Sequence, residues 1–136
     1  MSEYQNPDLT MLGSSKVPVP DSPAEATLEC FPNRNPGRAY EIEFSTQEFT
    51  SLCPVTGQPD YAEIYIRYIP GDRCIESKSL KLYLASFRNE ASFAEDVTNR
   101  ILNDLVKVCE PIEMTVRAEF TPRGGIAVHV EASHLE

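Results

Sequence analysis

Cys53 stands seven residues before Asp60 in the run Glu48-Phe-Thr-Ser-Leu-Cys-Pro-Val-Thr-Gly-Gln-Pro-Asp60, and Pro54, Gly57 and Pro59 force the backbone between them to bend. Such a loop can fold the thiol back onto the carboxyl. A thiolate with a lowered pKa or a nearby base is a nucleophile, and a carboxylic acid held protonated beside it is a proton donor. Together they suit attack on an unsaturated carbon followed by protonation of its neighbour. Spacing alone favours the plainer reading, a small apolar cysteine and an aspartate that caps a turn.

Other residues with chemical potential are spread along the chain. Glu76 and Ser77 follow a strand pattern and open a helix, where free backbone N–H groups and a carboxylate could face a ligand, or Ser77 could simply cap the helix. Lys78 and Lys81 are three apart and share a helical face that could meet phosphates, with Arg88 nearby; a solvated basic face is the alternative. Ser92 and Glu95 have the spacing of a capping box. Arg123, followed by Gly124 and Gly125, fits either a phosphate or a hairpin turn. His129 and His134 lack convincing ligand partners and read as surface residues. Cys30, Cys53, Cys74 and Cys109 lack the close pairs of a zinc site or a redox motif, so free thiols and no metal are expected. The chain has no Gly-x-Gly-x-x-Gly stretch, so a Rossmann site for a dinucleotide is unsupported.

The elements that would carry these residues follow from hydrophobic period. Residues 1–38 hold Pro18, Pro20, Pro23, Pro32 and Pro36 and show no sustained period, which predicts a flexible leader able to clamp a neighbouring subunit. Tyr40, Ile42 and Phe44 alternate with polar residues, as do Ala62, Ile64, Ile66 and Tyr68, which places the Cys53 loop between two neighbouring strands. Leu80, Tyr83, Leu84 and Phe87 have the spacing of one buried helical face, and Phe93, Val97, Ile101, Leu105 and Val108 predict a second helix running to about Cys109. Ile112 to Phe120 and Ile126 to Val130 alternate around Thr121–Gly125, a hairpin. The expected α+β domain, residues 39–136, is a four-stranded antiparallel sheet with two helices on one face.

A chain of 136 residues is one domain in size. Its net charge of −9 argues against nonspecific nucleic-acid binding, which needs clustered cations, and favours small-molecule chemistry. No apolar run approaches the roughly 20 residues of a membrane span, and Met1 to Asn6 lack the flank of a secretory signal; a cytoplasmic protein without membrane partners is expected.

Four segments, Cys53–Asp60, Glu76–Tyr83, Ser86–Glu90 and Thr121–Gly125, in this order and spacing, resemble the single-domain (type I) form of the QueF family. That resemblance covers about residues 39–126 and implies NADPH-dependent reduction of the nitrile of 7-cyano-7-deazaguanine in queuosine biosynthesis. It implies that Cys53 forms a covalent thioimide while Asp60 protonates the nitrogen. Substrate contacts fall on Ile75, Glu76, Ser77, Ala94 and Glu95, with Glu95 gripping the guanine-like edge; Lys78, Lys81 and Arg88 fall to NADPH. Family members usually carry His or another ring where this chain has Ala94, and a methyl group cannot stack on or hydrogen-bond to a heterocycle. The order of elements matches the tunnelling fold (T-fold), whose subunits join edge strands into a ring, so a homo-oligomer with sites between subunits is expected. An amidinotransferase using the same thioimide and a catalytically silent purine binder are the competing readings.

Overall fold

A computed structural model describes residues 18–135. Four long strands, β2 (Ile42–Leu52), β3 (Pro59–Ile69), β5 (Glu113–Arg123) and β6 (Ile126–Leu135), form an antiparallel sheet in the order β2-β3-β5-β6. Between β3 and β5 the chain forms the short strand β4 (Arg73–Ile75), then α1 (Ser77–Ala85), a 3-10 turn over Ser86–Asn89, and α2 (Ala94–Cys109). The strict period of two sets the faces. Ala62, Ile64, Ile66 and Tyr68 of β3 join Met114, Val116, Ala118 and Phe120 of β5, and against them lie Leu80, Tyr83 and Leu84 of α1 and Val97, Ile101 and Leu105 of α2. Both helices therefore cover one face. Each fully buried side chain of this size contributes about 1.5–3 kcal/mol. The alternate residues make the opposite face polar, where Arg117 and Glu119 form an ion pair of 2.7 Å.

Strand β2 changes phase midway. Its register on β3 shifts between Thr46 and Phe49, so Gln47 and Glu48 make a bulge, and Phe49 and Ser51 turn toward the helices where Phe44 and Thr46 did before. The bulge thus decides which way the residues leading into Cys53 face.

Three expectations are corrected. Residues up to 38 were expected to be an irregular leader, yet β1 (Cys30–Pro32) pairs antiparallel with β4, Cys30 opposite Ile75; residues 1–17 of that leader lie outside the described residues. The cap of α1 is Glu76 and not Ser77: its carboxylate accepts from the backbone N–H groups of Lys78 and Ser79, both at 2.7 Å. Ser92 and Glu95 form no capping box. The Ser92 N–H donates to Leu52 O, and Phe93 takes the cap position without a side-chain bond.

Candidate active site

The turn between β2 and β3 is closed at its base. Cys53 N–H donates to Gln58 O (2.8 Å), and Gly57 N–H donates to Cys53 O (2.9 Å). Gly57 has φ of 72°, a conformation open to glycine at little strain. At the base of the loop Ser51 pairs with Asp60, so the acid returns beside the strand that carries the thiol. Cys53 is half-buried, and its pKa is lowered first by the Thr56 hydroxyl, then by the backbone of Thr56 and Val55; the charge of Asp60 works weakly the other way. Burial instead pushes Cys30 up to about 11 and Cys109 up to about 12. Cys53 is the thiol set up to ionise.

Asp60 was expected as a protonated acid; in the structure it is half of an ion pair. Its Oδ1 lies 2.8 Å from Arg123 Nε. The same guanidinium donates to Gln58 Oε1 (2.9 Å) and to Pro59 O (2.8 Å). Arg123 thus grips three successive residues of the returning arm, and Gly124 and Gly125 follow with φ of 58° and 79° in the turn of the β5–β6 hairpin. Beside Asp60, the Ser51 hydroxyl is buried and has no hydrogen-bond partner among the described residues.

A third segment is stitched to the loop. Leu52 N–H donates to Glu90 O (2.9 Å) and Ser92 N–H to Leu52 O (3.2 Å), a short parallel bridge centred on Leu52 and Ala91. Glu90 is held in turn by Arg100 at 2.9 Å, whose guanidinium sits 5.8 Å over the ring of Phe87. This brings the start of α2 next to the Cys53 loop. There Ala94 is half-buried against the core, Glu95 is exposed, and Phe93 leaves 54 % of its surface open. An exposed phenyl ring one position before Ala94 escaped the sequence reading, because a period-3.6 pattern assigns Phe93 to the core face.

The remaining site residues lie elsewhere in the subunit. A cavity of about 410 Å³ opens between β2 and α1, floored by Phe44, Ile64, Ile66, Leu80 and Leu84 and rimmed by Ser45, Thr46, Glu48, Ser77 and Lys81. Ser77 is exposed there, whereas Ile75 and Glu76 are each 3 % exposed. Ile75 N–H donates to the Tyr68 hydroxyl (2.9 Å), and the Glu76 carboxylate, expected to face a ligand, is spent on the cap. Lys78 is half-buried on α1. Arg88, grouped with the lysines by sequence, turns away: it donates to Pro20 O (2.7 Å) and Ala85 O (3.3 Å) and lies 3.6 Å from Asp21. From Thr46 to Cys53 the strand advances roughly 20 Å at about 3.3 Å per residue. The rim of the cavity runs along β2 as far as Glu48, five positions and roughly 16 Å of extended strand before Cys53, and Ser77 faces it from the start of α1.

Comparison with known proteins adds four likenesses. Residues 59–136 match the family model described as QueF-like protein. The NADPH-dependent 7-cyano-7-deazaguanine reductase of Neisseria meningitidis serogroup B (strain ATCC BAA-335 / MC58) is 52% identical over 93% of this chain and 80% of its own. That of Exiguobacterium sibiricum is 53% identical over 89% of this chain and 75% of its own. A crystal structure of the archaeosine synthase QueF-Like in the apo form superposes with a TM-score of 0.62 over 70% of this chain and 91% of that one; at 20% identity the likeness is one of fold.

Proposed function

The chain belongs to the QueF-like family, and we propose that it is an NADPH-dependent oxidoreductase of the single-domain type that reduces the nitrile of 7-cyano-7-deazaguanine to give 7-aminomethyl-7-deazaguanine, a cytoplasmic step of tRNA queuosine synthesis. The observation that carries this reading is that one hairpin sets Asp60 opposite Ser51, close enough to the lowered-pKa thiol of Cys53 for its charge to act on the sulfur. A nitrile is a poor hydride acceptor until it is added to and protonated. Cys53 Sγ bonds to the nitrile carbon as one C–N π bond opens, and Asp60 delivers a proton to the nitrogen, giving a thioimide. When bound, NADPH supplies two hydrides, one to the thioimide carbon and one to the imine left after the C–S bond breaks. Cys53 departs as a thiolate, stabilised by Thr56, and regains from solvent the proton it gave up in the addition.

Binding falls to the flanking elements. Glu95 accepts from the guanine-like N–H edge, and the open ring of Phe93 supplies the stacking face that Ala94 lacks. The cavity between β2 and α1 fits NADPH in kind, with an apolar floor for a flat ring, the cation of Lys81 on its rim for phosphate, and Lys78 one turn away. Ser77 and the backbone of Ile75 and Glu76 then reach the substrate of a neighbouring subunit, in a ring closed through the edge strands β2 and β6. Ile126 and Leu135, 70 % and 74 % exposed on β6, favour such a covering.

The test is to mix the protein with the nitrile and NADPH. Two NADPH consumed per nitrile, lost in Cys53→Ala, is the expected result. A mass gain on Cys53 without NADPH use would mean addition alone, as an amidinotransferase makes; no change in either would mean a silent binder, the reading that Ala94 favours.

A further inference from the structure

We infer that Arg123 is a positioning residue for the thiol addition, acting through Asp60; this rests on the thioimide reading above. Three observations lead to it. Arg123 comes from the far end of β5, yet its guanidinium contacts Gln58, Pro59 and Asp60 in succession. These contacts span 64 and 65 positions of sequence for Pro59 and Gln58. Its side chain is 43 % exposed and that of Asp60 23 %, and ion pairs so open to water stabilise a fold by only about 0–1 kcal/mol. An arrangement that fixes three consecutive groups while adding little to stability acts on geometry.

The planar fork matters, since only arginine offers Nε, Nη1 and Nη2 in one rigid plane to a carboxylate, a carbonyl and an amide oxygen at once. Arg123 occupies Oδ1 of Asp60, leaving the other oxygen to shuttle a proton. The addition then balances without outside acid or base. The S–H bond of Cys53 breaks and its proton passes to the Asp60 carboxylate, the S–C bond forms, and the same proton moves on to the nitrile nitrogen. Asp60 ends as the carboxylate it began.

The measurement is the rate at which the nitrile adds mass to Cys53 in a single turnover without NADPH, for wild type, Arg123→Gln, Arg123→Lys, Asp60→Asn and the Asp60→Asn/Arg123→Gln double variant. Arg123→Gln is expected to slow addition roughly ten- to a hundredfold, the scale of a misplaced reacting group. Nitrile affinity, measured in a Cys53→Ser background, should stay within about twofold, and the thermal midpoint should hardly move. Arg123→Lys should recover part of the rate. The double variant should be no slower than Asp60→Asn alone, because two residues acting as one unit are not additive. Addition at the wild-type rate in Arg123→Gln, or losses that multiply in the double variant, would overturn the inference. Absence of any adduct in the wild type would overturn the thioimide reading beneath it.

Discussion

A thiol works as a nucleophile at neutral pH only where something stabilises its anion, and at Cys53 the leading contribution is the hydroxyl of Thr56. That gives a sign. A donor to the thiolate lowers the pKa, so Thr56→Val raises it, and less thiolate is present at pH 7. Alkylation of Cys53 by iodoacetamide should slow several-fold at pH 7 and match wild type well above the ordinary thiol value of 9.0, while Cys30 and Cys109 stay slow in both proteins. Unchanged alkylation at pH 7 would remove Thr56 from the account. Asp60→Asn leaves the shape but no group that can take up and return a proton, so adduct formation should fall by about 10²–10⁴, read by mass on Cys53. Normal adduct formation would dismiss this acid. Cys53 and Asp60 could be singled out in the sequence by type and spacing, which pose the chemistry without deciding it, and the family resemblance supplied their roles. The partners of Thr56 and Arg123 could not, because a hydroxyl or a guanidinium announces no partner until the backbone has turned.

At the scale of elements, long uninterrupted periods were legible and short or interrupted ones were not. α2 keeps one period throughout and β5 keeps it as far as Phe120, where its register on β6 shifts, whereas β1 and β4 are three residues each, too short for an alternation of two to register. The β2 bulge is invisible for the same reason: Phe44 and Phe49 both face the helices though an odd number of positions separates them. The start of α2 lies one position later than the Ser92–Glu95 spacing suggests: the Ser92 backbone pairs with Leu52 and Phe93 takes the cap position. Two substitutions probe this layer. Gly57→Ala meets no atom within 4 Å but must hold φ near 72°, a strain of about 1–2 kcal/mol. Thermal denaturation should show a loss of a few degrees, and the rate of thioimide formation should drop with it as Thr56 moves off the sulfur. Glu76→Ala deletes the buried cap of α1 and should cost about 1–2 kcal/mol in chemical denaturation. If stability were unchanged, the Glu76 carboxylate would be free for a ligand after all.

At the scale of the whole molecule the four-stranded order and the single covered face were legible, but the distance between the two halves of the site was not, since it depends on how α1 lies along β2. Contour lengths give the scale: about seven residues of strand from Thr46 to Cys53, and α1 plus the following 3-10 turn from Ser77 to Asn89, each roughly 20 Å long. If one substrate touches both ends, the ends come from different subunits. That yields a complementation test. Cys53→Ala lacks the nucleophile but keeps an intact Ser77 rim, and Ser77→Asp spoils the rim with a carboxylate but keeps the thiol. Each alone should be inactive, while an equal mixture, unfolded and refolded together, should regain about a quarter of wild-type activity in a closed ring of shared sites. A mixture no more active than its components would place every essential group of the site on one chain, and the distance between the ends would then have to be closed by a movement of α1 along β2 on binding.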